Sequence, residues 1–338
     1  KRILVQNGLN TELRNAADWK VLQTIGSEQE TYNATFSLDG TRILTGGFQE
    51  ARLWDAATGQ LQRTFGGRFQ PVQALSFSRD GKHLLVGGTS LQLWDAKTGQ
   101  LVRRSYLKGF SPIGSVAFSP DANLLAGAMG LWDASGQHLR TIQQSFHKWT
   151  AMSPDGSQLV SFGNSAPIVL WNAQTGEKLR IFDGHSETVT AVVFSPDSKN
   201  IVSAGADIQE LEGTRLTDQY TLKLWDVATG KLLRTYSGHA DHILSVAFSP
   251  DGKQLLSGGR DGNLRLWDVA TGNSLKTLDQ VERAYHNHYL PPDTENRYIR
   301  AVGFSPDGKK IMSAFGRTIR LWDAQSGNLL RTFVGSPA

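Results

Sequence analysis

Cysteine is absent from the 338-residue chain. That excludes a disulfide scaffold, thiolate zinc and iron–sulfur sites, and cysteine nucleophiles, while leaving the compartment open. No apolar run approaches the roughly 18–20 residues that a membrane-spanning helix needs. Charged residues make up 20% against 39% hydrophobic, too apolar a balance for a disordered chain. Methionine is scarce, and the chain begins at Lys1, as expected of a processed form or an excised piece. What abounds is glycine, with 35 residues, and tryptophan, with nine, a combination that points to repeated tight turns and repeated packing units. The net charge of +4 and basic pI of about 9.2 raise nucleic acid as a partner. Length alone suggests about two domains at roughly 150 residues each.

The tryptophans mark a repeat. Trp-Asp occurs at Trp54, Trp94, Trp132, Trp225, Trp267 and Trp322, and Trp171-Asn172 is a near miss. Successive spacings run from 38 to 42 residues, except two of 54 and 55 that carry insertions. Each of the seven units has one layout. An alternating apolar run such as Ile243–Phe248 reads as a strand. Ser-Pro-Asp-Gly follows as a turn, then a second strand ending in Gly-Gly. A third strand ends in Leu-Trp-Asp, Thr-Gly turns the chain, and a fourth strand such as Leu232–Tyr236 closes the unit. With no helical period anywhere, this predicts an all-β protein with one small antiparallel sheet per unit. One such sheet cannot bury both faces alone, so radial stacking is expected.

On these motifs, from about residue 26 to 334, the chain resembles the WD40-repeat family, in a bacterial style of repeat. The resemblance implies a seven-bladed β-propeller of four-stranded antiparallel blades. Residues 1–25 then form extra N-terminal strands that could close the ring, ahead of a propeller over 26–338. The alternative is eight blades with an incomplete first blade, because Val21–Ile25 and Leu329–Phe333 both read as fourth strands.

The family's buried tetrad of His, Ser or Thr, Asp and Trp maps onto His185, Ser203, Asp207 and Trp225. It maps again onto His239, Ser257, Asp261 and Trp267. Elsewhere it decays: Val86 and Ala126 replace the hydroxyl, and Gln49 and Arg317 stand where Asp is expected. A Ser-His-Asp set invites a hydrolase reading, but a set that recurs beside Trp from unit to unit reads as structural.

Both long insertions belong, by family topology, to one face. The first runs from Ile208 to Gln219 and ends at Tyr220; the second runs from about Asp279 to Tyr298. Long loops on a rigid scaffold are usually functional. The second is rich in aromatic and His anchors: Tyr285, His286, His288, Tyr289 and Tyr298. With Tyr220, Arg260, Arg317, Phe48 and Trp149, these are the candidate partner-binding residues. His286 and His288 could hold a metal, but no third ligand is fixed by spacing, so no metal or other cofactor is expected. Arg63, Arg103, Arg140, Arg180, Arg234, Lys276 and Arg331 recur at one outer-strand position and read as solvating edge charges, which removes the case for nucleic acid.

The expectation is therefore a non-catalytic interaction or sensor domain, cytoplasmic and monomeric, within a larger bacterial signalling protein. It should bind a protein or peptide, with no membrane role. The competing expectation is a small-ligand or metal-binding propeller, possibly an enzyme, using the 279–298 loop.

Overall fold

The computed structural model describes the chain except residues 1, 8–9, 16–19, 27–30, 67–71, 79, 107–115, 120–123, 128–129, 134–136, 142–146, 164–165, 212–213, 281–297, 316–317 and 335–338. Every described element is a β-strand. Seven four-stranded antiparallel sheets follow one another, each ordered as in sequence. We number these repeat sheets one to seven, spanning Thr31–Gly66, Ala74–Tyr106, Val116–Thr141, His147–Phe182, Val189–His239, Ile243–Gln280 and Ile299–Val334. An N-terminal sheet of three strands precedes them.

The chain divides into two compact units. Unit one holds Lys1–Ser161, Trp171–Leu179 and Ser336–Ala338; unit two holds Phe162–Leu170 and Arg180–Gly335.

The repeat motifs form these strands for local reasons. In Ser37-Leu38-Asp39-Gly40, Asp39 Oδ1 accepts from the Ser37 hydroxyl at 2.6 Å and from Thr41 N–H at 2.9 Å. Ser37 Oγ in turn accepts from Arg42 N–H at 2.9 Å. The Ser37 hydroxyl and the two Thr41 donors hold the Asp39 carboxyl down at about 2. Gly40 closes the turn at φ +67°, where a side chain would be strained. After Leu-Trp-Asp, Asp55 Oδ1 likewise accepts from Ala57 N–H, Thr58 N–H and the Thr58 hydroxyl. Repeat one thus carries two self-satisfied turns, and Ala56 N–H donates to Thr41 O to tie them together.

Packing between consecutive sheets forms the core. Trp94, Phe65, Leu53, Val72 and Val86 share one cluster across repeat sheets one and two. Phe65 meets Trp94 edge to face at 5.7 Å, as Tyr236 meets Trp267 at 5.8 Å. The Gly-Gly pairs belong to this contact. A Cβ on Gly46 would lie 2.5 Å from Val72 Cγ1, and one on Gly258 would lie 2.4 Å from Ile299 Cγ2.

Four sequence expectations change. The first is the count of seven or eight blades, which the described strands carry only in part. Six repeat sheets have every strand at least four residues long, the third is reduced to strands of three and four residues, and the N-terminal sheet has three strands.

The second concerns residues 1–25. Arg2–Asn7, Asn10–Asn15 and Val21–Gly26 pair with one another, and Leu329–Val334 holds the fourth position of repeat sheet seven. The middle strand escaped notice because Arg14-Asn15 stands where other units have Trp-Asp. The bulge between Leu13 and Arg14 matches that between Leu53 and Trp54. Arg2 Nη2 donates to Gly40 O as Arg42 Nη2 donates to Gly81 O, and Leu13 and Ile25 pack on Ile43 and Trp54.

The third concerns the outer-strand cations, four of which are not merely solvated. Arg63 donates to Thr98 O and Lys97 O at 2.9 and 2.8 Å, and Arg234 to Thr271 O at 2.8 Å. Arg180 and Lys276 donate to the carbonyls of Thr229 and Gln325. Each reaches over the Thr-Gly or Ser-Gly turn of the next repeat sheet in sequence. The fourth is the first insertion: it is not a loop but a ribbon that lengthens two strands of repeat sheet five to 12 and 13 residues.

Candidate interaction site

Three of the sequence candidates, Tyr220, Arg260 and Tyr298, are brought together in unit two. The link is His242, which sequence reasoning missed. Tyr220 opens the regular part of the third strand of repeat sheet five, directly after the ribbon. His242 precedes the inner strand of repeat sheet six, and its ring lies 4.7 Å from that of Tyr220. Arg260 follows the second strand of the same sheet, and its N–H donates to His242 O at 2.8 Å. The Arg260 guanidinium carbon lies 5.8 Å from the ring centre of Tyr298, which precedes the inner strand of repeat sheet seven. The four form one continuous ridge across three sheets.

The ridge is accessible. Tyr298 is 41% exposed and Arg260 is exposed, while Tyr220 and His242 are half-buried. Asp241 Oδ1 lies 2.9 Å from His242 Nδ1, so Nδ1 is engaged and Nε2 is the ring nitrogen left for a ligand. Arg260 has no carboxylate within ion-pair distance among the described residues. Its guanidinium is exposed beside the Tyr298 ring. A signal for His242 was present: Thr188, His242 and Tyr298 each stand one residue before an inner strand, and that register was not compared across units.

The other candidates stand elsewhere. Phe48 is 46% exposed at the corresponding turn of repeat sheet one, in unit one. Trp149 is half-buried on the inner strand of repeat sheet four, also in unit one. Tyr285, His286, His288, Tyr289 and Arg317 lie outside the described residues. Among the described residues no group of three or more His, Cys, Asp or Glu could hold a metal ion.

The two tetrads lie in and beside repeat sheets five and six. Trp267 Nε1 donates to Ser257 Oγ at 2.8 Å, and Ser257 Oγ lies 2.7 Å from His239 Nε2. His239 Nδ1 lies 2.9 Å from Asp261 Oδ2. One proton assignment satisfies all of them: indole to hydroxyl, hydroxyl to Nε2, and Nδ1–H to carboxylate. Burial alone would raise the Asp261 carboxyl. The His239 bond, with donors from Asn263 and Ala240, outweighs it and holds it at about 2.

The second set bonds His185 to Ser203 at 2.9 Å and to Asp207 at 3.2 Å, and Trp225 Nε1 to Ser203 Oγ at 2.9 Å. Here Asp207 also pairs with the buried Lys223 and accepts from Thr221. Burial pushes His185 below its ordinary value, and the Lys223 charge adds to this against the bond to Asp207. The Trp–hydroxyl half survives in three more sheets, as Trp54–Thr45, Trp171–Ser161 and Trp322–Ser313.

Such a relay is unsuited to catalysis. Ser257 is 0% exposed, and its oxygen already accepts from indole. A hydroxyl so enclosed is closed to substrate.

Comparison with known proteins agrees with the repeat. A family model described as "WD domain, G-beta repeat" matches residues 59–95, 176–208, 230–268 and 284–323. The nuclear distribution protein nudF of Aspergillus niger is 27% identical over 229 residues, 61% of this chain and 51% of that one. The small ribosomal subunit protein RACK1 of Drosophila melanogaster is 33% identical over 143 residues, 42% of this chain and 36% of that one. The chain thus spans between about a third and a half of these curated relatives. The crystal structure of the computationally designed Ika8 protein superposes with a TM-score of 0.70 at 28% identity, covering 92% of this chain and 89% of that one.

Proposed function

Because this chain is a WD40-repeat protein, an all-β propeller of four-stranded antiparallel blades, we propose that it is a non-catalytic interaction domain. It engages a protein or peptide through the ridge Tyr220–His242–Arg260–Tyr298. The observation that carries this reading is the ridge itself. Exposed Tyr298 and Arg260 and half-buried Tyr220 and His242 follow one another across three sheets, and Arg260 has no carboxylate within ion-pair distance among the described residues, the composition of a protein-binding hot spot. The absence of catalysis is supported by the tetrads, whose Ser, His and Asp are consumed in holding the sheets.

The same proposal takes the domain as cytoplasmic and monomeric, with no nucleic-acid or membrane role. A sensor role in a bacterial signalling protein has less support, since the relatives named above are a fungal and an insect protein.

The test is a capture experiment with the triple variant Tyr220→Ala/His242→Ala/Tyr298→Ala. Capture of partners should be lost while the thermal melt is preserved. Capture equal to that of the parent protein overturns the reading.

A further inference from the structure

We propose that the open edge of the third strand of repeat sheet five, residues 214–219, takes an extended peptide by strand addition, and that Arg260 binds an acidic side chain of that peptide. This rests on the ridge as the interaction site and specifies the chemistry of its occupant.

The ribbon supplies the edge. The two ribbon strands, Asn200–Leu211 and Thr214–Asp226, pair with each other out to Leu211↔Thr214. The inner strand pairs only up to Val189↔Gly205, and the outer strand only from Tyr220↔His239. Beyond those points two strands continue without the others.

The two edges of this ribbon differ. On the inner side its base is occupied: Glu187 N–H donates to Ala206 O, and Ile208 N–H donates to Ser186 Oγ at 2.7 Å. On the outer side, residues 214–219 have no strand partner among the described residues. A row of unpaired N–H and C=O groups in an extended strand is a template for another strand.

The position of this edge decides what it binds. It opens where the outer strand ends at His239. From there the chain runs through Asp241 to His242, which stacks on Tyr220. A strand added along 214–219 therefore leads onto the ridge and toward Arg260. The cation of the ridge is Arg260, 5.8 Å from the Tyr298 ring centre and with no carboxylate within ion-pair distance among the described residues. An exposed guanidinium selects a carboxylate and binds it through two parallel hydrogen bonds. Backbone pairing provides affinity without sequence, and Arg260 provides the choice of an acidic residue.

The experiment selects ten-residue peptides from a random display library on the intact chain. The selected peptides are synthesised and their binding measured by fluorescence anisotropy. Three variants are compared: Arg260→Gln, Tyr298→Ala, and a shortened ribbon in which 208–219 is replaced by one Gly, imitating Asp261–Gly262–Asn263. The expected peptides carry Asp or Glu at a fixed position. Arg260→Gln should weaken them at least tenfold, and the shortened ribbon should abolish binding. Should the shortened chain fail to fold, Thr217→Pro and Asp218→Pro replace it. Adjacent N–H groups point to opposite edges, so just one of the two should block binding.

Peptides without an acidic residue, or equal binding by the shortened ribbon, overturn the proposal. Loss only in Tyr298→Ala overturns it while leaving the ridge reading intact. Failure to select any binder, or binding unchanged in all three variants, overturns both. A concentration-dependent dimer that the shortened ribbon abolishes overturns the peptide in favour of a second copy of the chain.

Discussion

Replacing Ser257 with Ala isolates the contribution of the buried tetrad. Ser257 Oγ is fully buried and makes two bonds, accepting from Trp267 Nε1 at 2.8 Å and meeting His239 Nε2 at 2.7 Å. Ser257→Ala therefore orphans an indole N–H and an imidazole nitrogen at once. Both are shielded, with Trp267 2% exposed and the His239 side chain 1%. An orphaned buried polar group costs about 1–3 kcal/mol, so the pair should cost roughly 3–4 kcal/mol. At about 2–4 °C per kcal/mol for a unit of roughly 150–250 residues, the melting transition should fall by about 6–15 °C.

Ser313→Ala is the internal control. Ser313 is equally buried and accepts from Trp322 Nε1 at 3.2 Å, with no His bonded to it among the described residues. It should cost about half as much, roughly 1–2 kcal/mol. The assay is thermal and urea unfolding followed by far-UV circular dichroism. Equal losses for the two variants would refute the idea that the His link stabilises the sheet. A loss under about 1 kcal/mol for Ser257→Ala would show that water or relaxation replaces both bonds.

Acid should weaken unit two in two steps. His185 titrates below its ordinary value, so the unfolded chain takes up the proton first; the stability from its neutral form is complete above about pH 6.5 and declines below it. Asp261, held at about 2 against an ordinary 3.8, contributes stability above pH 4 that is lost as the pH falls toward 2. Urea titrations from pH 8 to 2 with His185→Phe should show the first step removed. Gly258→Ala should destabilise by about 1–3 kcal/mol, because its Cβ meets Ile299 Cγ2 at 2.4 Å; an unchanged melt would mean that the inner strand of repeat sheet seven gives way. Ser198 is the sole described non-glycine residue at positive φ, +61°, so Ser198→Gly should stabilise by about 0.5–1 kcal/mol in the same unfolding assay. Arg234→Ala removes the donor to Thr271 O at an exposed site and should cost about 0.5–1 kcal/mol, read from urea midpoints.

The sequence by itself determined whatever is built within one unit. Ser-Pro-Asp-Gly and Leu-Trp-Asp-x-x-Thr-Gly are closed sets of local hydrogen bonds, so their strands could be placed from spacing alone. The tetrad residues were legible for the same reason, since their partners recur at fixed register inside one sheet. Tertiary structure decided what depends on neighbouring units. Arg63 and Arg234 read as solvated charges until the next sheet placed its turn carbonyls within reach. Gly46 and Gly258 read as turn chemistry until Val72 and Ile299 filled the space where a Cβ would stand. The middle N-terminal strand was hidden because Arg14 replaces the tryptophan that marks every other third strand. His242 was invisible because its role comes from a ring on the preceding sheet and an arginine aimed at the following one. Side chains that bond within a repeat declare themselves by periodicity. Those that act between repeats declare themselves only once the sheets are stacked.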